Sequence, residues 1–465
     1  MNKEKSPLFF MKEGIFLALS VTLCYNDKKR KRGTLMKKLC VATNCRQLMT
    51  QDGAPFYLIG DTAWELFHRL DREEAEYYLT TRKEQGYNLI QAVILAEFDG
   101  IRTPNAYGRI PFLQNDTGEY DLLLPDLSGE YSYFDHVEFI LSKAEEIGLY
   151  MGVLPTWGDK YNCIWGEGPE VFTPENAFSY GQWLGDRYAH HTNIIWILGG
   201  DRPLSKKKHF DVIDGMARGL RESMSGDKLI TFHPCGAHSS SQFVHDFDWL
   251  DFNMMQSGHG YPSPWCFDMM AADYAKKPTK PVMDGEPCYE DHPINFKPEN
   301  GYFDDYNVRI AAYRNLLGGA CGNTYGHHSI WGFKRPEEAC AYFPNNWKIA
   351  LHRPGARQIA IYRDFVEAHM PHNYTPVYDI VEENTHDANY VAAMVNEKEA
   401  ILSVPTGLPI SLNLNALPFI PRTMTTFDPK TGIYSEAMPM PGSMKIVIPG
   451  YPAGRNCDYI LILKP

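Results

Sequence analysis

The sequence has no C-x-x-C pair. Its ten cysteines are scattered singly, without the spacing of a zinc ribbon or finger. That excludes a compact structural zinc site and makes most of the thiols small buried hydrophobes. Disulfides stay open if the chain is exported, but no pairing can be read. An excess of positive charge is also lacking: 45 Lys and Arg face 57 Asp and Glu, for a formal net charge of −12. Nucleic acid is therefore not expected as a partner, because phosphate binding needs clustered cations. No G-x-G-x-x-G loop follows the first strand-like segment, "FYLIGDT" (56–62), which runs on as "AWELFHRL". This argues against an open, doubly wound dinucleotide fold. Apart from residues 14–24, "GIFLALSVTLC", no stretch is apolar and long enough to cross a membrane. That segment follows Lys3, Lys5 and Lys12 and reads as a signal-peptide core, which implies export to the periplasm or cell surface. Glu13 against the run, the missing A-x-A site and the basic "NDKKRKRG" after it leave a retained anchor, or a start at Met36 and a cytoplasmic location, open. Residues 1–36 are set apart on this ground.

What is present is the composition of an ordinary globular protein, 44% hydrophobic and 22% charged over 465 residues. Aromatics make up 13%, more than a core needs, and offer platforms for sugar faces or other flat ligands. From residue 56 a rhythm sets in. Apolar strand-like runs begin near 56, 89, 150, 194, 229, 251, 281 and 321. Amphipathic helices are expected over 72–86, 134–148, 176–191, 209–224, 266–277, 304–319 and 355–369. Near-continuously apolar strands separated by helices mean parallel pairing with both faces buried. Eight such units predict an α/β fold, a (β/α)8 barrel over 37–372. Beyond 372 the pattern turns to short strands between Gly, Pro, Asn and Asp turns, "YVAAMVN", "AILSVPTG" and "DYILILKP" among them. An all-β antiparallel sandwich is expected over 373–465.

In such a barrel the chemistry lies at the C-terminal strand ends. Those ends carry Asp61 and Trp64; Glu97 and Asp99; Trp157, Asp159 and Lys160; Asp201 and Arg202; His233; Gln256 and His259; Asp284, Glu286 and Tyr289; then Tyr325, His327, His328 and Trp331. A carboxylate inside a buried strand is costly, whereas at the mouth neighbours can tune its pKa. Asp201 and Glu286, on strands four and seven, form the kind of pair that glycosidic cleavage needs. Each also has a bland reading, Asp201 as a salt bridge to Arg202 and Glu286 as a braced structural acid. Asp61, Trp64, Trp157, His233, Gln256, His259, Tyr289, Tyr325, His327 and Trp331 are the expected substrate contacts, with structural packing as the competing reading. The histidine pairs at 190–191 and 327–328 are poor metal signals, since adjacent strand residues face apart. No metal and no cofactor are expected.

Three motifs in order carry a resemblance: "FYLIGDTAWELFHRLDREEAEYYLTTRKEQGYNLIQ" (56–91), "IIWILGGDRP" (194–203) and "PVMDGEPCYE" (281–290). Together they resemble the apiosidase-like glycoside hydrolases, in which a catalytic barrel precedes a β-sandwich named for collagen binding. The similarity runs from about residue 37 onward. It implies a retaining glycosidase for pectic carbohydrate, with apiose linkages of rhamnogalacturonan II as a candidate. Asp201 would be the acid/base and Glu286 the nucleophile, with carboxyl groups roughly 5–5.5 Å apart. A carbohydrate substrate is the partner implied. A metal-dependent hydrolase and a non-catalytic carbohydrate or matrix binder stand as alternatives, and the oligomeric state is unread.

Overall fold

The computed structural model describes residues 36–465 except 261–264, 370–372 and 451. The signal-like segment at 14–24 lies outside the described residues. No helix among them is long and apolar enough to cross a membrane.

Eight parallel strands form the centre: β1 (Leu58–Thr62), β2 (Leu89–Leu95), β3 (Tyr150–Thr156), β4 (Ile194–Gly199), β5 (Ile230–His233), β6 (Asn253–Gln256), β7 (Val282–Asp284) and β8 (Gly322–Tyr325). Hydrogen bonding runs in the order β5-β4-β3-β2-β1-β8-β7-β6, with the short strand His238–Ser239 antiparallel beyond β6. The open ends, β5 and β6, meet through Asp251 N–H donating to Ile230 O at 2.9 Å and the Thr231 hydroxyl donating to Phe252 O at 2.7 Å. The sheet is thus barrel-like. A small antiparallel sheet of Leu39–Val41, Leu48–Thr50 and Pro55–Phe56 packs Leu39 and Leu48 against the strand starts.

Among the described residues, seven helices of more than two turns lie on the outside: α1 (Arg72–Glu84), α2 (Tyr133–Ile147), α3 (Pro174–Arg187), α4 (Lys207–Glu222), α5 (Trp265–Ala275), α6 (Asp305–Leu317) and α7 (Pro354–His369). Sequence chemistry sets their ends. Asp71 accepts from Glu74 N–H at the start of α1, and Ser132 with Asp135 closes a capping box on α2. Between β5 and β6 only a short 3-10 turn, Ser240–Gln242, replaces a helix. The strands are buried throughout because both faces are covered. In β4, Ile195 and Ile197 fill the barrel interior, while Ile194, Trp196 and Leu198 pack under the helices.

The C-terminal region is antiparallel. One sheet orders Thr375–Pro376, Ala392–Val395, Ala400–Val404, Tyr459–Lys464, Thr423–Asp428 and Ile433–Tyr434, and a second pairs Ile410–Asn413 with Lys445–Ile448. The short apolar run "VYDIV" (377–381), strand-like in sequence, contributes one bridge, Val381 to Leu412. Alternation gives the larger sheet two apolar faces. Ala393, Leu402, Leu461 and Leu463 meet the second sheet, while Met394, Ile401, Ile460 and Ile462 meet α6 and α7. Residues 306–317 of α6 are consequently buried on every side. The nine described cysteines are all free thiols.

Candidate active site

The strand ends open onto one cavity of about 890 Å³. Asp201 reaches it through "GGD", three successive residues at positive φ: 96° for Gly199, 112° for Gly200 and 52° for Asp201. Glycine is required at both preceding positions. A Cβ on Gly199 would stand 2.2 Å from His233 O, and one on Gly200 2.7 Å from Gly158 N. The strain at Asp201, of order 1 kcal/mol for a residue type that tolerates this region, turns its carboxyl inward. Arg202 is fully buried behind it. Its guanidinium donates to Asp201 O at 2.8 Å, Asp201 Oδ2 at 3.2 Å, Glu97 Oε1 at 2.5 Å and Trp165 O at 3.1 Å.

Glu286 follows β7 through Gly285, which backs closely onto Met254. Its buried carboxylate lies between two imidazoles: His259 Nε2 donates to Oε1 at 3.1 Å, and His233 Nε2 is 2.9 Å from Oε2. Burial alone would raise its pKa. The two imidazoles outweigh burial and hold the group well below the usual carboxylate range. Asp201 is moved the other way. Burial raises its pKa, the negative charge of Glu286 raises it further, and Arg202, His233 and the Gln256 amide only partly offset this. Glu97, on the same wall, is pushed up to about 7 by burial, against the pull of Arg202.

Aromatic side chains build the walls. Trp64 and Trp157 stand 5.1 Å apart between ring centroids, with His233 edge-on to Trp64 at 5.4 Å. Trp331, Tyr289, Tyr342 and Trp165 complete them. Besides Glu286 Oε2, five polar atoms of the wall are buried with no hydrogen-bond partner among the described residues: Trp157 Nε1, Gln256 Oε1, His259 Nδ1, the Tyr289 hydroxyl and His328 Nε2. Unpaired buried polar groups around a cavity are what a hydroxyl-rich ligand would satisfy.

Of the expected site residues, Asp201, Glu286, Trp64, Trp157, Gln256, His259, Tyr289 and Trp331 line this cavity, and His233 touches it through Glu286. Three do not. Asp61 turns to the helix side, where the Tyr78 hydroxyl and Arg82 Nε of α1 each donate to Oδ2 at 2.5 Å. Tyr325 points the same way, its hydroxyl donating to Glu290 at 2.6 Å. His327 is held by Asp291 at 3.0 Å and accepts from Ser329 N–H. Asp284 also faces outward, to Ser257 and Asn315, so it does not crowd Glu286. Sequence reasoning placed Glu97 and His328 on the rim without assigning them to the site. It missed Trp165, His292 and Tyr342, which come from loops beyond the strand ends. The density of aromatics and histidines in "EDHPINF" and "AYFPNNW" was the available signal.

A barrel-like parallel sheet whose mouth sets two acids in one aromatic-walled cavity is the architecture of a carbohydrate-cleaving hydrolase, and known proteins bear this out. The chain matches the family described as "Apiosidase-like, catalytic domain" over residues 42–372 and belongs to it. Residues 377–464 match the "Putative collagen-binding domain of a collagenase". Among solved structures, it is similar to one titled "Glycoside hydrolase", with 28% identity and a TM-score of 0.81 over 92% of this chain and 97% of that one. It is equally similar to a glycoside hydrolase family 5 structure from Bacteroides vulgatus ATCC 8482, again at 28% identity and TM-score 0.81, covering 92% of this chain and 93% of that one. No curated protein matches it in sequence. The protein is a glycoside hydrolase, which sets aside the non-catalytic reading.

Proposed function

We propose that this enzyme is a retaining glycosidase that cleaves pectic oligosaccharides, apiose linkages among them, by double displacement. We read the eight parallel strands as a (β/α)8 barrel closed between β5 and β6. Glu286 attacks the anomeric carbon to form a glycosyl-enzyme, while Asp201 gives its proton to the leaving oxygen. Asp201, now ionised, then takes a proton from water, which displaces the sugar from Glu286. One observation carries the assignment: the surroundings of two carboxyl groups on one cavity move their pKa values in opposite directions. Two imidazoles keep Glu286 anionic and oriented. Burial and the charge of Glu286 raise the pKa of Asp201, which favours the protonated form that a proton donor to the leaving oxygen needs. Trp64, Trp157 and Trp331 supply stacking faces, and the unpaired wall atoms supply hydrogen bonds to hydroxyls. The apiose component rests on the family description alone.

The test is a screen of pectic oligosaccharides, with proton NMR of the first-formed anomer. Release of a sugar with the anomeric configuration of the substrate supports the reading. Inversion would reassign Glu286 from nucleophile to base, and a panel without turnover would remove the pectic substrate.

A further inference from the structure

The adjacent histidines His190 and His191 do not lie on a strand, so the rule that neighbours face apart does not govern them. They sit in the turn after α3, with ring centroids 4.1 Å apart. Glu138 of α2 joins them: one potential ligand atom from each of the three residues lies within 4.8 Å of the other two. His190 Nε2 is 3.3 Å from Glu138 Oε1. That spacing is about the ligand–ligand edge of a tetrahedral site with metal bonds of ~2.0–2.1 Å.

His191 is fully buried. Its Nδ1 lies 3.1 Å from Glu145 Oε2, while Glu145 Oε1 accepts from the amide and hydroxyl of Thr192 at 3.1 and 2.8 Å. A carboxylate holding these donors stays ionised and can only accept, so the proton of His191 sits on Nδ1. Nε2 is left with its lone pair, buried and without a partner among the described residues. A carboxylate behind one ring nitrogen and a bare second nitrogen is the outer-shell arrangement that orients a metal-binding imidazole.

We propose that Glu138 Oε1, His190 Nε2 and His191 Nε2 form a binding site for a divalent cation of the zinc class, separate from the catalytic cavity. Mixed imidazole and carboxylate ligation suits that class, with water filling the remaining position on the side of the exposed His190. Arg187 lies 3.4 Å from the other oxygen of Glu138 but makes its shorter contact, 2.6 Å, with Asp135. Its charge tempers the affinity, but it engages Oε2 and not Oε1. A bound ion would clip α2 to the turn after α3 and stabilise the folded chain.

The test compares full-length protein, made without a polyhistidine tag, with the Glu138→Gln/His190→Ala variant. His190 and Glu138 are not core residues, so the variant should fold, which circular dichroism checks. After equilibrium dialysis against Zn²⁺, elemental analysis should find one more equivalent in the wild type than in the variant. Zn²⁺ should raise the wild-type Tm and leave that of the variant unmoved. Any zinc held at Glu286, His233 and His259 is common to both proteins and cancels in the difference. Equal stoichiometry and equal thermal shifts in the two proteins would overturn the site.

Discussion

In the proposed mechanism Glu286 and Asp201 divide the chemistry through charge, and each substitution should therefore leave a different trace. Glu286→Gln keeps the size of the side chain and one acceptor for an imidazole but cannot attack carbon. Turnover should fall to background while the substrate still binds, as calorimetry of the variant with oligosaccharide would establish. Asp201→Asn removes the proton donor. Hydrolysis of a natural linkage should drop by about 10²–10⁴-fold, whereas an aryl glycoside with a good leaving group should be cleaved at close to the wild-type rate in the first step. Equal losses on both substrates would contradict the acid role. The pH profile follows from the same two groups. On the proposed assignment, activity requires Glu286 ionised and Asp201 protonated. Its acid limb should then lie below the usual carboxylate range, because the pKa of Glu286 is lowered, and activity should decline as pH rises through the raised pKa of Asp201. On the aryl substrate, Asp201→Asn should abolish that basic limb. If the limb persists there and vanishes in Glu97→Gln, the proton donor is Glu97, whose pKa of about 7 makes it the competing acid.

At the scale of elements, a strand end can project a carboxylate into the mouth or back against a helix, and the two placements have different consequences. Asp61 takes the second course. It joins β1 to α1 through Arg82, and neither side chain is exposed to solvent. Arg82→Leu should strip a buried carboxylate of its cationic partner, leaving only the Tyr78 hydroxyl, and cost about 3–5 kcal/mol of stability, measured by denaturant unfolding. The KM of the folded fraction should be unchanged; a large rise in KM would return Asp61 to the site. The same geometry explains what could be read beforehand. Strand positions were legible because a strand buried on both faces is a continuous apolar run. That continuity erases the alternation that would tell which strand-end residues point inward, so Asp61 and Tyr325 were placed on the wrong side. Asp201 and Glu286 escaped the ambiguity because glycines before them break the strand and re-aim the chain. Trp165, His292 and Tyr342 were not legible, since loop residues reach the cavity by turns that no periodicity marks.

On the scale of the whole molecule, the question is whether the sandwich is a passenger or a wall. The apolar face carrying Met394, Ile401, Ile460 and Ile462 shares one core with Leu316, Ile359 and Phe365 of α6 and α7. Across the same boundary Arg309 donates to both carboxylate oxygens of Asp458 at 2.8 and 2.9 Å, and both side chains are buried. Phe267 stacks on Tyr390 with centroids 3.7 Å apart. A boundary built this way leaves neither part a finished surface. Deleting residues 373–465 would expose the outer faces of α6 and α7, and α6 positions Asn315, which holds Asp284 at the foot of the catalytic loop. The truncated barrel should therefore be insoluble or inactive. In the full chain, barrel and sandwich should unfold in one calorimetric transition, because melting either uncovers the apolar face of the other. Asp458→Ala should lower that single transition by removing two charge-assisted hydrogen bonds of the buried Arg309, at a cost of about 1.5–3 kcal/mol, since Asp305, 2.9 Å away, still pairs with it. A soluble, fully active barrel lacking residues 373–465, or two separate transitions in the intact chain, would make the sandwich a detachable module instead.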